Sequence, residues 1–409
     1  MSSALVTGIG LIAPNADGPE PYWAATVEGR TGIGTLTRFD VSRHPVRLAG
    51  EIRDFDASAR LPGRLLPQTD VSTRYALVAA ERALADAGIE PGAYADYDMG
   101  VVTGNAQGGF EFTHREFRKL WSQGPEKVSV YESFAWFYAV NTGQISIRHR
   151  LRGPSSALVA EQAGGLDAIG HARRTVRRGT PMVVTGGVDS AFDPWGWVSQ
   201  ISGGRLTTSG DPDRAYQPFG THADGHVPGE GGAILVLEDP RTARERGARQ
   251  VYGEIAGYAS TFDPAPGSGR PPGLRRAAEL ALRDAGLPPS DIDVVFADAA
   301  GSPDLDRVEA EAVGGLFGPH GVPVTAPKAL TGRLCSGGGP LDVAAALLCL
   351  REGVIPPTYG TDEVPEEYGI DLVRGAPREV PVRAALVLAR GKWGFNSAVV
   401  VRAAGVGDD

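Results

Sequence analysis

The residue with the most specific chemical consequence is a glutamine in a run of small residues. Gln162 lies in residues 159–167, VAEQAGGLD, where alanine and glycine surround it. A carboxamide donates and accepts hydrogen bonds, but it has no nucleophilic or ionisable atom at neutral pH. Gln162 can therefore polarise a carbonyl group, but it cannot hold an acyl group as a thioester.

Two cysteines, Cys335 and Cys349, are the thiols of the chain. Cys335 precedes the glycine-rich residues 336–340, which predict a flexible loop, and no histidine neighbours it in sequence. Cys349 lies in a run of alanine and leucine and is expected to pack in the core. Two cysteines are too few for a disulfide framework or a cysteine-based metal site, and they fit a reducing compartment.

Three weaker patterns point to structure and carry no chemistry of their own. His222 and His226 have the spacing of a metal-binding pair on a helix, but glycine and proline around them predict a loop, so we expect no metal. The glycines at 7–10 and 336–340 lack the lysine that a phosphate-binding loop requires. We expect glycine at 336–340 to permit close approach of the backbone.

Length and composition are typical of a compact intracellular enzyme, and we expect a cytoplasmic protein. The chain has 409 residues, and 42% of them are hydrophobic. This length exceeds the usual size of a single hydrophobic core, so it favours two domains or two fused halves. No run of 18 or more apolar residues suits a membrane, and the N-terminus has no export signal. The net charge of -9 gives no reason to expect nucleic acid.

An internal duplication organises the chain. Residues 79–91, AAERALADAGIEP, match residues 277–289, AAELALRDAGLPP, at an offset of 198 positions. Each segment predicts an amphipathic helix that ends at a glycine with proline shortly after. Each is followed by a turn and a short apolar strand, at 96–102 and 291–297. The pattern indicates two related halves.

A second pair of helices supports the duplication. One helix is predicted to open at 165–168 and close at Gly179, and the other to open at 340–343 and close at Gly353. Helices alternate with apolar strands such as 182–185 and 384–388, which places the chain among layered α/β folds. We set the N-terminal half at 1–250 and the C-terminal half at 251–409.

Residues 159–167 resemble the nucleophile elbow of beta-ketoacyl synthases, in which small residues surround a cysteine at the start of a buried helix. With Gln162 at the cysteine position, the chain resembles the chain length factor, the ketosynthase beta subunit of bacterial type II aromatic polyketide synthases, from Leu5 to about Val401. Residues 7–10 resemble the opening strand and turn of the family, and residues 224–232 its Gly-Glu-Gly loop. The resemblance implies a thiolase-like fold with duplicated halves in a five-layer αβαβα architecture.

The resemblance also implies that the two family histidines are missing. Ala300, in DAAGSP at 298–303, stands at the first histidine position, and Arg333, in KALTGR at 328–333, stands at the second. An arginine stays charged and cannot act as an acid at physiological pH. Lys328 and Glu309 match the family pattern and are expected to form the polar core of a vestigial site. A role for Gln162 in decarboxylation stays open.

Residues 108–121 predict a helix with a large apolar stripe. Phe110, Thr113, Phe117 and Trp121 recur at the spacing of one helix face, which by itself predicts a stripe of core residues. In chain length factors the matching helix borders the partner, and the resemblance implies that Phe110, Thr113, Phe117 and Phe134 end the tunnel that holds the growing chain. Two phenylalanines on this face predict a short tunnel, and the resemblance implies that this pattern belongs to the octaketide class.

The expected partners are an active ketosynthase alpha subunit, in an obligate one-to-one heterodimer, and an acyl carrier protein. The aromatic residues at 131–138 suit a subunit interface. The resemblance implies that the phosphopantetheine arm of the carrier is presented mainly to the partner, and we expect no cofactor bound to this chain. Two alternatives stay open: a self-sufficient thiolase-like acyltransferase or hydrolase that uses Cys335, and a stand-alone acyl-binding protein.

Overall fold

The computed structural model describes residues 3–89 and 93–405. Pro91, which the sequence places after the end of the first repeated helix, lies outside these residues. Within the described residues, no helix is both long enough and apolar enough to cross a membrane.

Strands and helices alternate along both halves. The strands are β1 (Leu5–Ala13), β2 (Ala16–Asp17), β3 (Ile33–Thr35), β4 (Leu48–Gly50), β5 (Met99–Gly104), β6 (Ser155–Leu158), β7 (Met182–Asp189), β8 (Gly231–Glu238), β9 (Gly253–Phe262), β10 (Val294–Phe296), β11 (Pro323–Thr325), β12 (Val354–Ile355), β13 (Asp371–Leu372), β14 (Arg378–Glu379), β15 (Ala384–Arg390) and β16 (Phe395–Arg402). The helices are α1 (Pro19–Glu28), α2 (Ala57–Arg60), α3 (Val71–Asp86), α4 (Phe110–Gln123), α5 (Glu132–Ala135), α6 (Val140–His149), α7 (Gly164–Arg177), α8 (Pro194–Ile201), α9 (Pro240–Glu245), α10 (Leu274–Ala285), α11 (Pro303–Phe317) and α12 (Gly338–Glu352).

The two halves repeat one strand order. In the N-terminal half the order is β6-β5-β7-β8-β1, and in the C-terminal half it is β11-β10-β15-β16-β9, with β13 added beside β11. The two half-sheets join where β1 pairs with β9, at Leu5 with Glu254 and Val6 with Gly253. The duplication predicted from the repeated helices is therefore also present in the sheet topology.

Five layers follow from where the helices pack. Helices α7 and α12 contact each other and strands of both half-sheets, so they form the central layer. Helix α3 covers the outer face of β1, β7 and β8, and α10 covers the outer face of β9, β15 and β16. Along β15, Ala385 and Val387 face the central core while Leu386 and Leu388 face α10. This is the αβαβα arrangement that the resemblance implies.

Glycine allows each outer helix to lie directly on its sheet. A Cβ on Gly8 would lie 2.1 Å from the carbonyl oxygen of Ala83, and a Cβ on Gly257 would lie 2.1 Å from that of Ala281. Ala83 and Ala281 are equivalent positions of the 198-residue repeat. The resemblance implied an opening strand and turn at residues 7–10; the strand is present as β1, and the turn comes only after Ala13, where β1 ends. These glycines make room for a helix.

Candidate functional site

Gln162 lies in the turn that leads into the central helix α7. Strand β6 ends at Leu158, Glu161–Ala163 form a 3-10 turn, and α7 follows at once. Gln162 is only 2% exposed, and its amide has no hydrogen-bond partner among the described residues. It lines a cavity of about 460 Å³. The amide therefore faces this space, as a side chain at a nucleophile position would.

Cys335 lies in a turn that duplicates the one at Gln162. Cys335–Gly337 form a 3-10 turn that leads directly into α12, and Cys335 and Glu161 both have a positive φ, 47° and 52°. The flexible loop predicted at 336–340 is wrong, because α12 begins at Gly338, whereas the predicted helix that closes at Gly353 is confirmed. Close packing fixes this segment, since a Cβ on Gly339 would lie 2.8 Å from Cγ of Leu166.

The thiol of Cys335 lines the same cavity as Gln162. Its sulfur accepts a hydrogen bond from Nε2 of Gln107 at 3.1 Å. Burial, together with the carboxylates of Glu161 and Asp189, raises the pKa of Cys335 well above its ordinary value. The thiol is therefore neutral at physiological pH, and a neutral thiol is a poor nucleophile.

Arg333 is held by an ion pair with Asp298. Its Nη2 donates to both carboxylate oxygens of Asp298, at 2.9 and 3.1 Å, and its Nη1 donates to the carbonyl oxygen of Asp298 at 2.6 Å. Burial alone would raise the pKa of Asp298, but the charges of Arg333 and Lys328 outweigh it and hold this pKa below its usual value. Both groups are charged, so neither exchanges a proton near neutral pH.

Lys328 and Glu309 bind the backbone next to Asp298. Nζ of Lys328 donates to the carbonyl oxygen of Asp298 at 3.1 Å and forms an ion pair with Asp342 at 2.7 Å. Glu309 accepts hydrogen bonds from the amides of Asp298 and Ala299, at 2.7 and 2.8 Å. Burial and the charge of Asp298 raise the pKa of Glu309 to about 7. The two residues thus fix one segment of backbone.

Ala300 lies just beyond this segment and is 5% exposed. It lines a smaller cavity of about 120 Å³, which Arg333 also borders. A methyl group offers no hydrogen bond to a developing charge, so the structure brings Gln162, Arg333 and Ala300 to adjoining cavities without an acid or a base at any of the three.

Helix α4 does not bury the stripe that its spacing predicted. The side chains that α4 buries are Phe112, Thr113 and Glu116, whereas Phe117 is 41% and Trp121 is 84% exposed. The core stripe that the spacing alone predicted is wrong at Phe117 and Trp121, because among the described residues the fold covers this face only in part, through Trp195 against Phe117. An exposed aromatic face of this kind is typical of an interface.

The aromatic residues proposed as a tunnel end lie around one tryptophan and one short helix. Trp195, on α8, contacts the rings of Phe110 and Phe117, with centroids 5.0 and 5.8 Å apart. Phe134 lies on α5 and packs edge-on against Tyr131, with centroids 5.9 Å apart. Phe110 also lines the cavity at Gln162, so α4 extends from that cavity to the exposed face.

The residues after α5 expose further aromatic surface. Trp136 is 48%, Phe137 is 49% and Tyr138 is 38% exposed. Their rings contact each other in sequence, with centroids 5.4 and 6.5 Å apart. Together with Phe117 and Trp121 of α4, these side chains form an aromatic surface that stays exposed among the described residues.

Sequence reasoning did not single out Asp298 or Trp195, which hold the site residues in place. Asp298 was seen only as part of a motif, although a carboxylate directly after the buried strand β10 is a signal that could have been used. Trp195 lies 85 positions from Phe110, and no local pattern connects them. Among the residues that the structure describes, no group of three or more His, Cys, Asp or Glu side chains could hold a metal ion.

Comparisons with known proteins show the family of this chain. The family model for the beta-ketoacyl synthase N-terminal domain matches residues 1–243, and that for the C-terminal domain matches residues 252–362. The chain belongs to the beta-ketoacyl synthase family. It is 70% identical to the actinorhodin polyketide beta-ketoacyl synthase 2 of Streptomyces coelicolor, over 98% of each chain. It is 60% identical to the tetracenomycin polyketide synthase ketoacyl synthase beta subunit of Streptomyces glaucescens, over 97% of this chain and 98% of that one.

A solved structure shares the fold over the whole chain. The ishigamide ketosynthase/chain length factor superposes with a TM-score of 0.91, at 25% identity, over 99% of this chain and 100% of that one. The five layers described above are therefore the thiolase-like fold of this family.

Proposed function

We propose that this chain is the non-condensing subunit of a type II polyketide synthase and that it acts as the chain length factor. It would pair one to one with an active ketosynthase and set how many malonyl-derived units are joined. Support comes from relatives named as a second beta-ketoacyl synthase or a beta subunit, and from a structural relative named as a ketosynthase/chain length factor.

The turn at Gln162 carries the proposal. A condensing enzyme needs a nucleophile at this turn and two donors that stabilise the charge left when carbon dioxide departs. Here the turn presents an amide, and the two donor positions hold the methyl group of Ala300 and the paired guanidinium of Arg333. The condensing chemistry must then come from a partner that keeps these groups.

The exposed aromatic surface of α4 and residues 136–138 is the surface we assign to that partner. Burial of several large aromatic side chains is typical of obligate interfaces. In such a heterodimer the acyl carrier protein would present its phosphopantetheine arm to the ketosynthase, and this chain would supply the wall of the tunnel. Phe110, Thr113, Phe117 and Phe134 would close that tunnel at an octaketide length.

A catalytic Cys335 is the alternative, and its environment disfavours it. A nucleophilic thiol needs a lowered pKa, usually from a cation or a paired histidine. The pKa of Cys335 is instead raised by burial and by Glu161 and Asp189. A thioester on this sulfur would need proton removal that the site opposes.

Intact-protein mass spectrometry tests the proposal. The chain is incubated, alone and as the heterodimer with its ketosynthase, with an acyl carrier protein that carries a mass-labelled acyl group. We expect an acyl adduct on the ketosynthase and none on this chain. A stable adduct on this chain that disappears in the Cys335→Ser variant would contradict the non-condensing role.

A further inference from the structure

Glu116 is a buried carboxylate in the middle of α4. Its side chain is 1% exposed, although Lys119 and Arg115 beside it are 36% and 45% exposed. Lys119 donates to it at 2.8 Å and Arg115 at 3.3 Å. Burial would raise the pKa of Glu116, but hydrogen bonds from Lys119, the Ser129 amide and Arg115 outweigh it and lower this pKa. The carboxylate is therefore charged and points inward.

The inward partner of Glu116 is the backbone of Ser129. The amide of Ser129 donates to Oε2 of Glu116 at 2.8 Å. Ser129 in turn holds the turn that leads into α5, because its carbonyl oxygen accepts from the amide of Glu132 at 3.1 Å and its Oγ accepts from the amide of Tyr131 at 3.2 Å. The carboxylate thus connects α4 to the turn that precedes the helix that carries Phe134.

The far end of α5 is attached to α4 through backbone alone. The amide of Gly109 donates to the carbonyl oxygen of Trp136 at 3.3 Å. A Cβ on Gly109 would lie 2.0 Å from the carbonyl oxygen of Ala135, and a Cβ on Gly108 would lie 2.3 Å from that of Trp136. Only glycine fits here, so this contact fixes one end of α5 whatever the side chains do.

Between these two attachments, Thr113 of α4 faces Glu132 of α5. The bond from the Ser129 amide to the carboxylate of Glu116 is a charge-assisted link between α4 and the residues that lead into α5. A charge-assisted bond is directional, whereas an apolar contact permits sliding.

We propose that Glu116 is a positioning residue for chain length. It holds the start of α5 on α4 and thereby fixes Phe134 relative to Phe110 and Phe117. This inference rests on the proposed function, because it assigns Glu116 a role only if these aromatic residues limit the polyketide.

The Glu116→Gln variant tests it in the assembled heterodimer with ketosynthase and acyl carrier protein. Glutamine keeps the shape and can accept from Ser129, but its amide nitrogen cannot pair with the ammonium of Lys119. We expect the ratio of off-length to parental-length product to rise about tenfold, the change that follows from losing one charge-assisted hydrogen bond. Glu126→Gln, an exposed carboxylate in the adjoining turn Pro125–Lys127, is the matched control and should leave the ratio unchanged.

Product lengths are measured by liquid chromatography with mass detection and divided by the amount of heterodimer. An unchanged ratio overturns the inference. A lower heterodimer yield with product of the parental length alone also overturns it, because that is the result expected if Glu116 only stabilises the fold. Should Glu116→Gln fail to assemble, Lys119→Met removes the cation and leaves the bond to Ser129. It should shift the ratio in the same direction by less, and no shift overturns the inference.

A double Phe110→Ala and Phe117→Ala variant separates this inference from the proposed function. A changed length there with an unchanged length in Glu116→Gln refutes only the positioning role. An unchanged length in both refutes the assignment of the tunnel itself.

Discussion

Removing both rings from the exposed face of α4 should lengthen the product. The perturbation is the double variant Phe110→Ala and Phe117→Ala. Both rings contact Trp195, and Phe110 also borders the cavity at Gln162. In the heterodimer the vacated volume would be apolar and continuous with the path of the growing chain. Further extension should fill it.

The expected cost in stability is small because these rings are not in the core. Replacing a fully buried phenylalanine by alanine costs about 3 to 5 kcal/mol. Phe117 is 41% exposed and Phe110 is half-buried, so we expect about 1 to 2 kcal/mol for each in the isolated chain, including the lost aromatic contact of about 0.5 to 1.5 kcal/mol. A domain is usually stable by about 5 to 15 kcal/mol, so the variant should fold.

The assay co-expresses the variant with its ketosynthase and carrier protein and measures product length by chromatography with mass detection. Thermal unfolding of the isolated chain checks the predicted free-energy cost. Phe262→Ala is the control, because Phe262 is 60% exposed and contacts Phe395 edge-on at 5.1 Å but lies in the other half of the chain. If an assembled heterodimer gives only the parental product length, the side chains of α4 do not limit that length.

Two further outcomes are expected. Gln162→Ala should leave the heterodimer assembled and lower product formation by up to about tenfold, because a buried amide orients what it faces; an unchanged rate would reduce Gln162 to a space-filling residue. The pKa of Glu309 is raised from 4.5 to about 7 in the folded protein, so folding favours the protonated carboxyl group. Its contribution to the free energy of unfolding is therefore fully present below about pH 4 and is lost as the pH rises through about 7. The melting temperature should therefore fall less between about pH 5 and 7 in Glu309→Gln than in the parent, while Glu311→Gln, exposed on the same helix, follows the parent. Equal slopes in all three proteins would contradict the raised pKa.

Local patterns in the sequence were sufficient for the duplicated halves. The repeat places Ala83 and Ala281 at equivalent positions, and both face a glycine of the adjoining strand at the same distance. Helix periodicity and terminal glycines lie within a few residues of each other, so they can be recognised without the fold. The exclusion of a thioester at Gln162 also needed no fold, because it depends only on the chemistry of the amide side chain.

Tertiary structure decided the properties that depend on distant residues. Asp298 pairs with Arg333 across 35 positions, and packing against α7 turns the glycines after Cys335 into a rigid helix start. The spacing on α4 identified one helix face but not what covers it, so Phe117 and Trp121 are exposed where a core was predicted. Periodicity records which side chains share a face, whereas burial, ion pairing and pKa depend on the elements that the fold brings against that face.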